Sequence, residues 1–532
     1  MNRNRSDYLK DIRNFAVELH NTAIECEDIK LIGDYDADGI CASLILKPYL
    51  EETTGKKVTV VIPDRYTDGY GIPDVSNLNL NKGTLVVTVD NGIEQTEKID
   101  EIARITGNKV FVIDHHNYDK ENVSENSIVL DFHENTLTDV PDYCGTGLAY
   151  LIAQQSPCSY EDKLQTRMAI LSCIGTVADM VKVKNPYDYN REIILNGFET
   201  MKAGKNLDDQ LKMFLDGCGT FDKKYITTSH IGFDIAPVIN ATGRLVMNGG
   251  QKVFDALDHG TKDDIDYLFE RNEERKSITN SIYASKELAE QISYDKPNVL
   301  FFPSISEGIC GLVATKVVER TGMPCLVFTE KQEEQGRLVG SGRNKEGYQS
   351  LYEALKSIDI ESFKYGGHAD ACGFSLDMKD KDKLIEQFSI EKTGENLKEH
   401  NFIENPKITP DELYALEPFG VDNPVPEVDT IVTVDSYKNM GKDPNDPTKK
   451  NPVMASTVID GVTYKTFTLG DKFAQGEQVR VKGTLGINEF AGRCNVEVTI
   501  SEVDNLSRNK DLSMLDRQLK ELSEQIDLPT IE

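Results

Sequence analysis

Ionisable side chains of metal-binding type recur at chosen places in the N-terminal third of the chain. The first is Leu31-Ile32-Gly33-Asp34-Tyr35-Asp36-Ala37-Asp38-Gly39-Ile40, where an apolar run ends in three carboxylates at alternate positions. On an extended strand end alternate residues point the same way, so Asp34, Asp36 and Asp38 are expected to converge. Converging carboxylates repel one another unless a cation lies between them. Oxygen donors of this kind suit divalent ions such as Mg²⁺ or Mn²⁺. The plainer alternative is a polar strand-to-helix loop with Asp as the helix cap.

Three further segments follow the same rule. Thr84-Leu85-Val86-Val87-Thr88-Val89 ends in Asp90-Asn91-Gly92, and Lys109-Val110-Phe111-Val112-Ile113 ends in Asp114-His115-His116. Ala169 to Val177 runs into Ala178-Asp179. Taken singly, an Asp where an element runs out is a turn or cap residue. Four coincidences in one region are hard to treat as independent, and a pair of divalent cations with oxygen ligands is the simplest group to hold so many carboxylates together.

The elements that must position these groups alternate. A helical pattern over Tyr8 to Ile24 precedes the first acidic loop, and a helix around Leu44 to Leu50 is followed by the β-branched run Val58 to Ile62. Strand and helix in alternation predict a parallel α/β sheet, in which ligands gather at the carboxyl ends of the strands. At 532 residues the chain is too long for one core. A net charge of -30 argues against broad non-specific binding to nucleic acid or anionic membrane, while leaving room for one locally basic groove. Ten cysteines without a CxxC pair favour reduced thiols in a cytoplasmic setting over a disulfide frame or a zinc site. No apolar run approaches membrane-spanning length and the N-terminus lacks an apolar leader core, so neither membrane nor secretion is expected.

Asp34-Tyr35-Asp36-Ala37-Asp38-Gly39, Asp90-Asn91-Gly92, Asp114-His115-His116 and Gly175-Thr176-Val177-Ala178-Asp179 resemble, in order and spacing, the four motifs of the DHH phosphoesterase superfamily. More narrowly they resemble the RecJ single-strand-specific exonucleases. The resemblance implies two Mn²⁺ or Mg²⁺ ions held by Asp36, Asp38, Asp90, His115 and Asp179, with Asp34 beside them. Asp90 is then the candidate bridging ligand, Asp114 fixes an imidazole through its ring N–H, and His116 contacts substrate or moves a proton. Pro63-Asp64-Arg65-Tyr66-Thr67-Asp68-Gly69-Tyr70-Gly71 resembles the RecJ loop with an Arg ahead of GYG, which makes Arg65 a phosphate ligand.

The likeness continues downstream. Ile231 to Leu245 resembles the segment between the two RecJ lobes and makes Arg244 a second ligand of a terminal phosphate; Val238 stands where the family commonly has Arg. Asp263 to Ile292 reads as one long charged helix bridging two lobes. Gly340-Ser341-Gly342-Arg343 and Tyr365-Gly366-Gly367-His368 resemble the DHHA1 substrate-binding domain. That implies Ser341 and Arg343 at the terminal phosphate and His368 stabilising the transition state. Ile305-Ser306-Glu307-Gly308 departs from the family, which usually shows Trp-His ahead of this Gly.

Leu416 to Pro424 resembles the RecJ hinge into an OB-fold, and the alternating runs after it predict a small barrel. Lys449, Lys450, Lys465, Arg480, Lys482, Phe490 and Arg493 are its candidate strand-binding residues. Leu512, Leu515, Leu519, Leu522 and Ile526 predict a short amphipathic helix.

The expected architecture is therefore α/β: a parallel-sheet DHH domain over 1–200, a helical connection over 201–293, a smaller α/β DHHA1 domain over 294–400, an all-β OB barrel over 401–505 and a terminal helix over 506–532. The expected activity is 5′-to-3′ hydrolysis of single-stranded DNA to nucleoside monophosphates, in DNA repair, recombination or replication, with a single-strand-binding protein or helicase as possible partner. Two rivals stand beside it: a DHH phosphodiesterase of oligonucleotides or cyclic dinucleotides, and a non-catalytic replication scaffold that kept the fold.

Overall fold

The computed structural model describes residues 3–134, 137, 139–156, 160–367, 369–394, 402–403, 407–434, 438–439, 455–459, 461–466, 474–490 and 492–508. Two compact units result: residues 1–222 with 226–396, and residues 223–225 with 397–532.

The first unit opens with α1 (Arg5–Glu25), whose start is fixed by a capping box between Asn4 and Asp7. Then come β1 (Ile29–Ile32), α2 (Ala37–Thr54), β2 (Val58–Val61), β3 (Leu85–Val89), α3 (Thr96–Thr106), β4 (Val110–Ile113) and β5 (Ser127–Leu130). The strands form one parallel sheet in the order β2-β1-β3-β4-β5. α4 (Gly145–Gln155) and α5 (Asp162–Ala178) pack with α1 and α2 on one face, burying Leu19, Leu31, Leu44, Phe111, Ile152 and Ile170 in a common core. The other face buries Ile32, Val86, Ile99, Ile102 and Val112. Burial on both faces is why these strands read as unbroken apolar runs.

The connection is helical: α6 (Asn190–Ala203), α7 (Asp209–Gly217), α8 (Thr228–His230), a π-turn over Ile231–Ile235, α9 (Ala236–Leu245), α10 (Gly249–His259), α11 (Lys262–Tyr283) and α12 (Lys286–Gln291). The single long helix expected over Asp263 to Ile292 is two helices. Ser285 leaves helical geometry at φ -69°, ψ 147° and its hydroxyl accepts from Leu288 N–H, so it caps a new helix.

A second sheet follows within the same unit, from β6 (Asn298–Phe301), α13 (Cys310–Thr321), β7 (Cys325–Glu330), β8 (Arg337–Arg343), α14 (Leu351–Lys356), β9 (Lys364–Gly367), β10 (Ala371–Asp377) and α15 (Lys381–Gln387). Its order is β6-β7-β8-β10-β9, parallel only between β6 and β7. α13 covers one face through Val313 and Val317, and α14 the other through Leu351 and Leu355.

The second unit holds β11 (Phe402–Ile403), α16 (Pro410–Tyr414), β12 (Glu427–Thr433), β13 (Lys438–Asn439), β14 (Ala455–Ile459), β15 (Val462–Thr466), β16 (Gln478–Phe490) and β17 (Arg493–Asn505). They form a seven-stranded sheet ordered β11-β12-β16-β17-β15-β14-β13 around Val428, Tyr464, Val481, Leu485 and Val498. Lys465 is ion-paired with Glu497, Arg480 with Asp429 and Lys482 with Glu502, so each of these three expected strand-binding cations already has a carboxylate beside it. Lys449, Lys450, the Phe490 side chain and the helix expected from Leu512 to Ile526 lie outside the described residues. All nine described cysteines are free, and no described helix is long and apolar enough to cross a membrane.

Candidate metal centre and phosphate pocket

The acidic loop leaves β1 at Gly33 and enters α2 through Asp36, which is a true helix cap: its Oδ1 accepts from Asp38 N–H at 2.9 Å and Gly39 N–H at 3.2 Å. The strand-end picture of three parallel carboxylates is thereby corrected. The turn from strand to helix sends the groups two ways, Asp34 and Asp36 joining Asp90 while Asp38 joins His115 and Asp179. A third overlapping group is Asp90, His115 and His116. Within each group, donor atoms lie within 4.8 Å of one another, so all six expected ligands and His116 form one continuous cluster.

Backbone geometry aims several of these groups. Asp90 follows β3 in the left-handed region at φ 63°, a conformation that Asp tolerates better than bulkier residues. His115 Nε2 lies 3.0 Å from Asp90 Oδ1, and its Nδ1 lies 3.6 Å from Asp179 Oδ2. Asp114 is buried, accepts from Ile93 N–H and His115 N–H, and pairs with His116 Nδ1 at 2.7 Å. Burial opposes charge on both members of that pair. Their mutual hydrogen bond prevails, lowering the Asp114 pKa and raising that of His116.

Sequence reading overlooked the support of Asp38. The N-terminus of α4 grips its carboxylate, Gly145 N–H to Oδ2 and Thr146 N–H to Oδ1, each at 2.8 Å, while Thr146 Oγ1 donates to the Asp38 carbonyl at 2.6 Å. Amides at a helix N-terminus, with the helix dipole behind them, attract a carboxylate and fix its position. The available signal was a Gly-Thr-Gly run opening a helical pattern. Asn240 also reaches in from α9 to accept from Ala37 N–H at 2.9 Å.

The donor set fits divalent cations. Burial raises the pKa values of Asp34, Asp90 and Asp179 well above the usual carboxylate range, reinforced by Asp36 at Asp34 and by Asp38 at Asp90 and Asp179. Asp34 Oδ1 is buried without a hydrogen-bond partner. Clustered carboxylates with an orphaned oxygen are the condition that bound cations relieve.

Beside this cluster lies a second one of opposite sign. The Arg65 guanidinium sits 4.0 Å over the ring of Tyr35, between two of the acidic ligands, and its buried Nε has no hydrogen-bond partner. Arg244 ends α9 and donates to the Gly308 carbonyl at 3.2 Å. Burial and the neighbouring Arg65, Arg343 and Arg275 press its pKa down to about 9. Arg275, on α11, also acts electrostatically on Arg244 and was hidden in sequence by the charges around it. Arg343 and Ser341 lie on β8 facing Gly311 of α13, where an added Cβ would stand 2.8 Å from Arg343 Nη2. Val238, in place of the family's Arg, is buried in the first core and adds no charge. His368 lies outside the described residues.

Residues 28–176 match the N-terminal domain of the DHH family, and residues 407–502 match the RecJ OB domain. The chain thus carries a DHH N-terminal domain and a RecJ OB domain, the order of parts found in RecJ. The single-stranded-DNA-specific exonuclease RecJ of Bacillus subtilis strain 168 is 26% identical over 519 residues, covering 93% of this chain but 63% of that protein, less than two thirds of its length. RecJ of Escherichia coli strain K12 is 26% identical over 530 residues, covering 92% and 89%. Among solved structures, RecJ in complex with Mn²⁺ from Thermus thermophilus superposes with a TM-score of 0.71 at 24% identity, over 93% of this chain and 71% of that one. An exonuclease RecJ bound to manganese gives 0.57 at 26% identity, over 71% and 93%.

Proposed function

We propose that this chain is a metal-dependent exonuclease that degrades single-stranded DNA from its 5′ end and releases nucleoside monophosphates. The observation that carries the reading is the adjacency of the two clusters: Arg65 stacks on Tyr35, whose neighbours Asp34 and Asp36 belong to the carboxylate group. Guanidiniums directly beside a hydrolytic centre suit a terminal phosphate bound next to the bond that is cut, which favours cleavage stepwise from an end.

In this reading Asp34, Asp36, Asp38, Asp90, His115 and Asp179 hold two Mn²⁺ or Mg²⁺ ions, as the similar RecJ structures with Mn²⁺ lead one to expect. Such a pair, when bound, lowers the pKa of a water and steadies the attacking and leaving oxygens. The chain's own part is positional. α4 amides hold Asp38 in place, the Asp114 carboxylate bonds His116 Nδ1 and fixes its ring, and Arg65, Arg244 and Arg343 with Ser341 seat the 5′ phosphate. His368 is assigned transition-state stabilisation by the DHHA1 resemblance alone. Residues 1–200 act as the catalytic domain, 294–400 as the substrate-binding lobe and 401–505 as the barrel that retains long strands, working in DNA repair, recombination or replication.

The deciding experiment is a product ladder with Mn²⁺ on end-labelled long DNA, long RNA and dinucleotides, each with and without a 5′ phosphate. Mononucleotide release from the labelled 5′ end of long DNA is expected. Release confined to dinucleotides, or attack from the 3′ end, overturns the reading.

A further inference from the structure

The C-terminal end of α9 presents backbone carbonyls that no residue of the helix can satisfy. One of them, the carbonyl of Arg244, accepts from two side chains that come from opposite sides. The Tyr66 hydroxyl donates to it at 2.6 Å from the loop after β2, and the Ser306 hydroxyl at 2.8 Å from the segment before α13. The two hydroxyl oxygens are themselves 3.0 Å apart. Two protons serve this triangle of three oxygens, and both can point at the carbonyl, whose two lone pairs are then filled.

Each hydroxyl belongs to a segment that also carries a guanidinium or closes around one. Tyr66 follows Arg65, and Asp64 fixes their loop by accepting from Tyr66 N–H at 2.9 Å and Thr67 N–H at 3.0 Å. The same carboxylate accepts from Asn248 N–H just past α9. Ser306 stands two residues before Gly308, whose carbonyl receives the Arg244 guanidinium at 3.2 Å. A Cβ at Gly308 would meet the Arg244 backbone, so the approach of the two segments depends on glycine there.

We propose that Tyr66 and Ser306 are positioning residues for the terminal-phosphate pocket: their paired hydroxyls clamp the Arg244 carbonyl and so hold Arg65, Arg244 and the second lobe in the register at which a phosphomonoester dianion is recognised. The inference rests on the phosphate pocket of the proposed function, but its readout does not require hydrolysis. Because either hydroxyl alone still satisfies the carbonyl, loss of one is partly covered by the other. Loss of both leaves a helix-terminal carbonyl unpaired between the segments.

The test is fluorescence anisotropy of the full chain with a 3′-labelled oligo-dT bearing either a 5′ phosphate or a 5′ hydroxyl, in EDTA to stop turnover. Wild type is expected to prefer the phosphorylated end. Tyr66→Phe and Ser306→Ala are each expected to reduce that preference about threefold and the double variant about tenfold, with hydroxyl-ended affinity unchanged. Ser306→Thr, which keeps a hydroxyl, is expected to retain the wild-type preference. A wild type without phosphate preference, a Tyr66→Phe ratio equal to that of wild type, or equal weakening toward both ends overturns the clamp. The single variants decide this even where the double variant fails to fold. Mn²⁺-dependent degradation by wild type is scored separately: binding preference without degradation defeats the exonuclease reading and leaves the clamp standing.

Discussion

Gly145→Ala probes how tightly the metal centre is built, because a single methyl group enters between two of its carboxylates. Gly145 has an ordinary backbone conformation, so the demand at this position is for space alone. An added Cβ would stand 2.8 Å from Asp90 Cβ, 3.2 Å from Asp90 Cα and 3.1 Å from Asp38 Oδ2. Carbon atoms rest at ~3.5–4.0 Å, so relief requires a displacement of about 1 Å shared between α4 and the Asp90 turn. Neither side yields freely: α4 is tied to Asp38 through the amides of Gly145 and Thr146, and Asp90 is bonded through its N–H to the Ile113 carbonyl. Overpacking of this kind costs about 1–3 kcal/mol of stability, and a displacement of about 1 Å among catalytic groups costs on the order of 100-fold in rate. The assay pairs Mn²⁺ titration calorimetry with single-turnover hydrolysis of 5′-phosphorylated oligo-dT. Gly147→Ala is the control, since a Cβ there meets nothing nearer than 3.7 Å. An alanine at 145 with the metal affinity and rate of the 147 control refutes the argument that the helix terminus sets the spacing of Asp38 and Asp90.

Asp90→Ala is expected to abolish metal-dependent hydrolysis without unfolding the protein, and to remove the rise in melting temperature that Mn²⁺ gives wild type; near-normal turnover takes Asp90 out of the centre. The raised pKa values of Asp34, Asp90 and Asp179 set the sign of a pH effect. Carboxyls that the fold prefers protonated contribute stability at low pH that is lost as pH rises through their folded values, so melting curves in EDTA are expected to fall above the usual carboxylate range, and saturating Mn²⁺ to reverse the trend. Arg65→Lys keeps the charge but loses the planar face over Tyr35 and the fork for phosphate, with an expected rise of about tenfold in KM for 5′-phosphorylated DNA and little change for 5′-hydroxyl ends; equal changes on both count against a phosphate role. Removal of residues 397–532, the larger part of the second compact unit, is expected to weaken degradation of long strands more than of very short ones, and equal loss on both argues against a strand-retaining barrel.

Much of the candidate centre was legible because its acidic groups sit where apolar runs stop: Asp34, Asp90 and Asp114 mark the ends of strands, and Asp179 the end of a helix. The reason for their convergence was not legible. Alternation along a strand implied three parallel carboxylates, whereas the cap at Asp36 starts a helix within the motif and turns Asp38 to the far side of the cluster. The amides that hold Asp38 carry no side-chain signature, and in sequence they lie more than a hundred residues away. Arg275 is one basic residue in a helix full of charges, and only its approach to Arg244 distinguishes it. Tyr66 and Ser306 meet across 240 residues through hydroxyls on a backbone carbonyl, a contact that no local pattern encodes. The barrel shows the reverse limit. Its basic residues were countable from sequence, but their carboxylate partners on adjacent strands were not.

The left-handed turn at Asp90 also bears on how such a protein can change over time. Of the residues that this backbone conformation readily admits, Gly, Asn and Asp, only Asp brings an anionic oxygen to the cluster. Its two conformational equivalents are each a single nucleotide change away in the genetic code, and both relieve the crowding of like charges that burdens the metal-free fold. Loss of the reaction and retention of a sound, even sturdier, scaffold therefore coincide at this one position. In the proposed reading, one such step gives up hydrolysis while the Arg65, Arg244 and Arg343 guanidiniums stay in place.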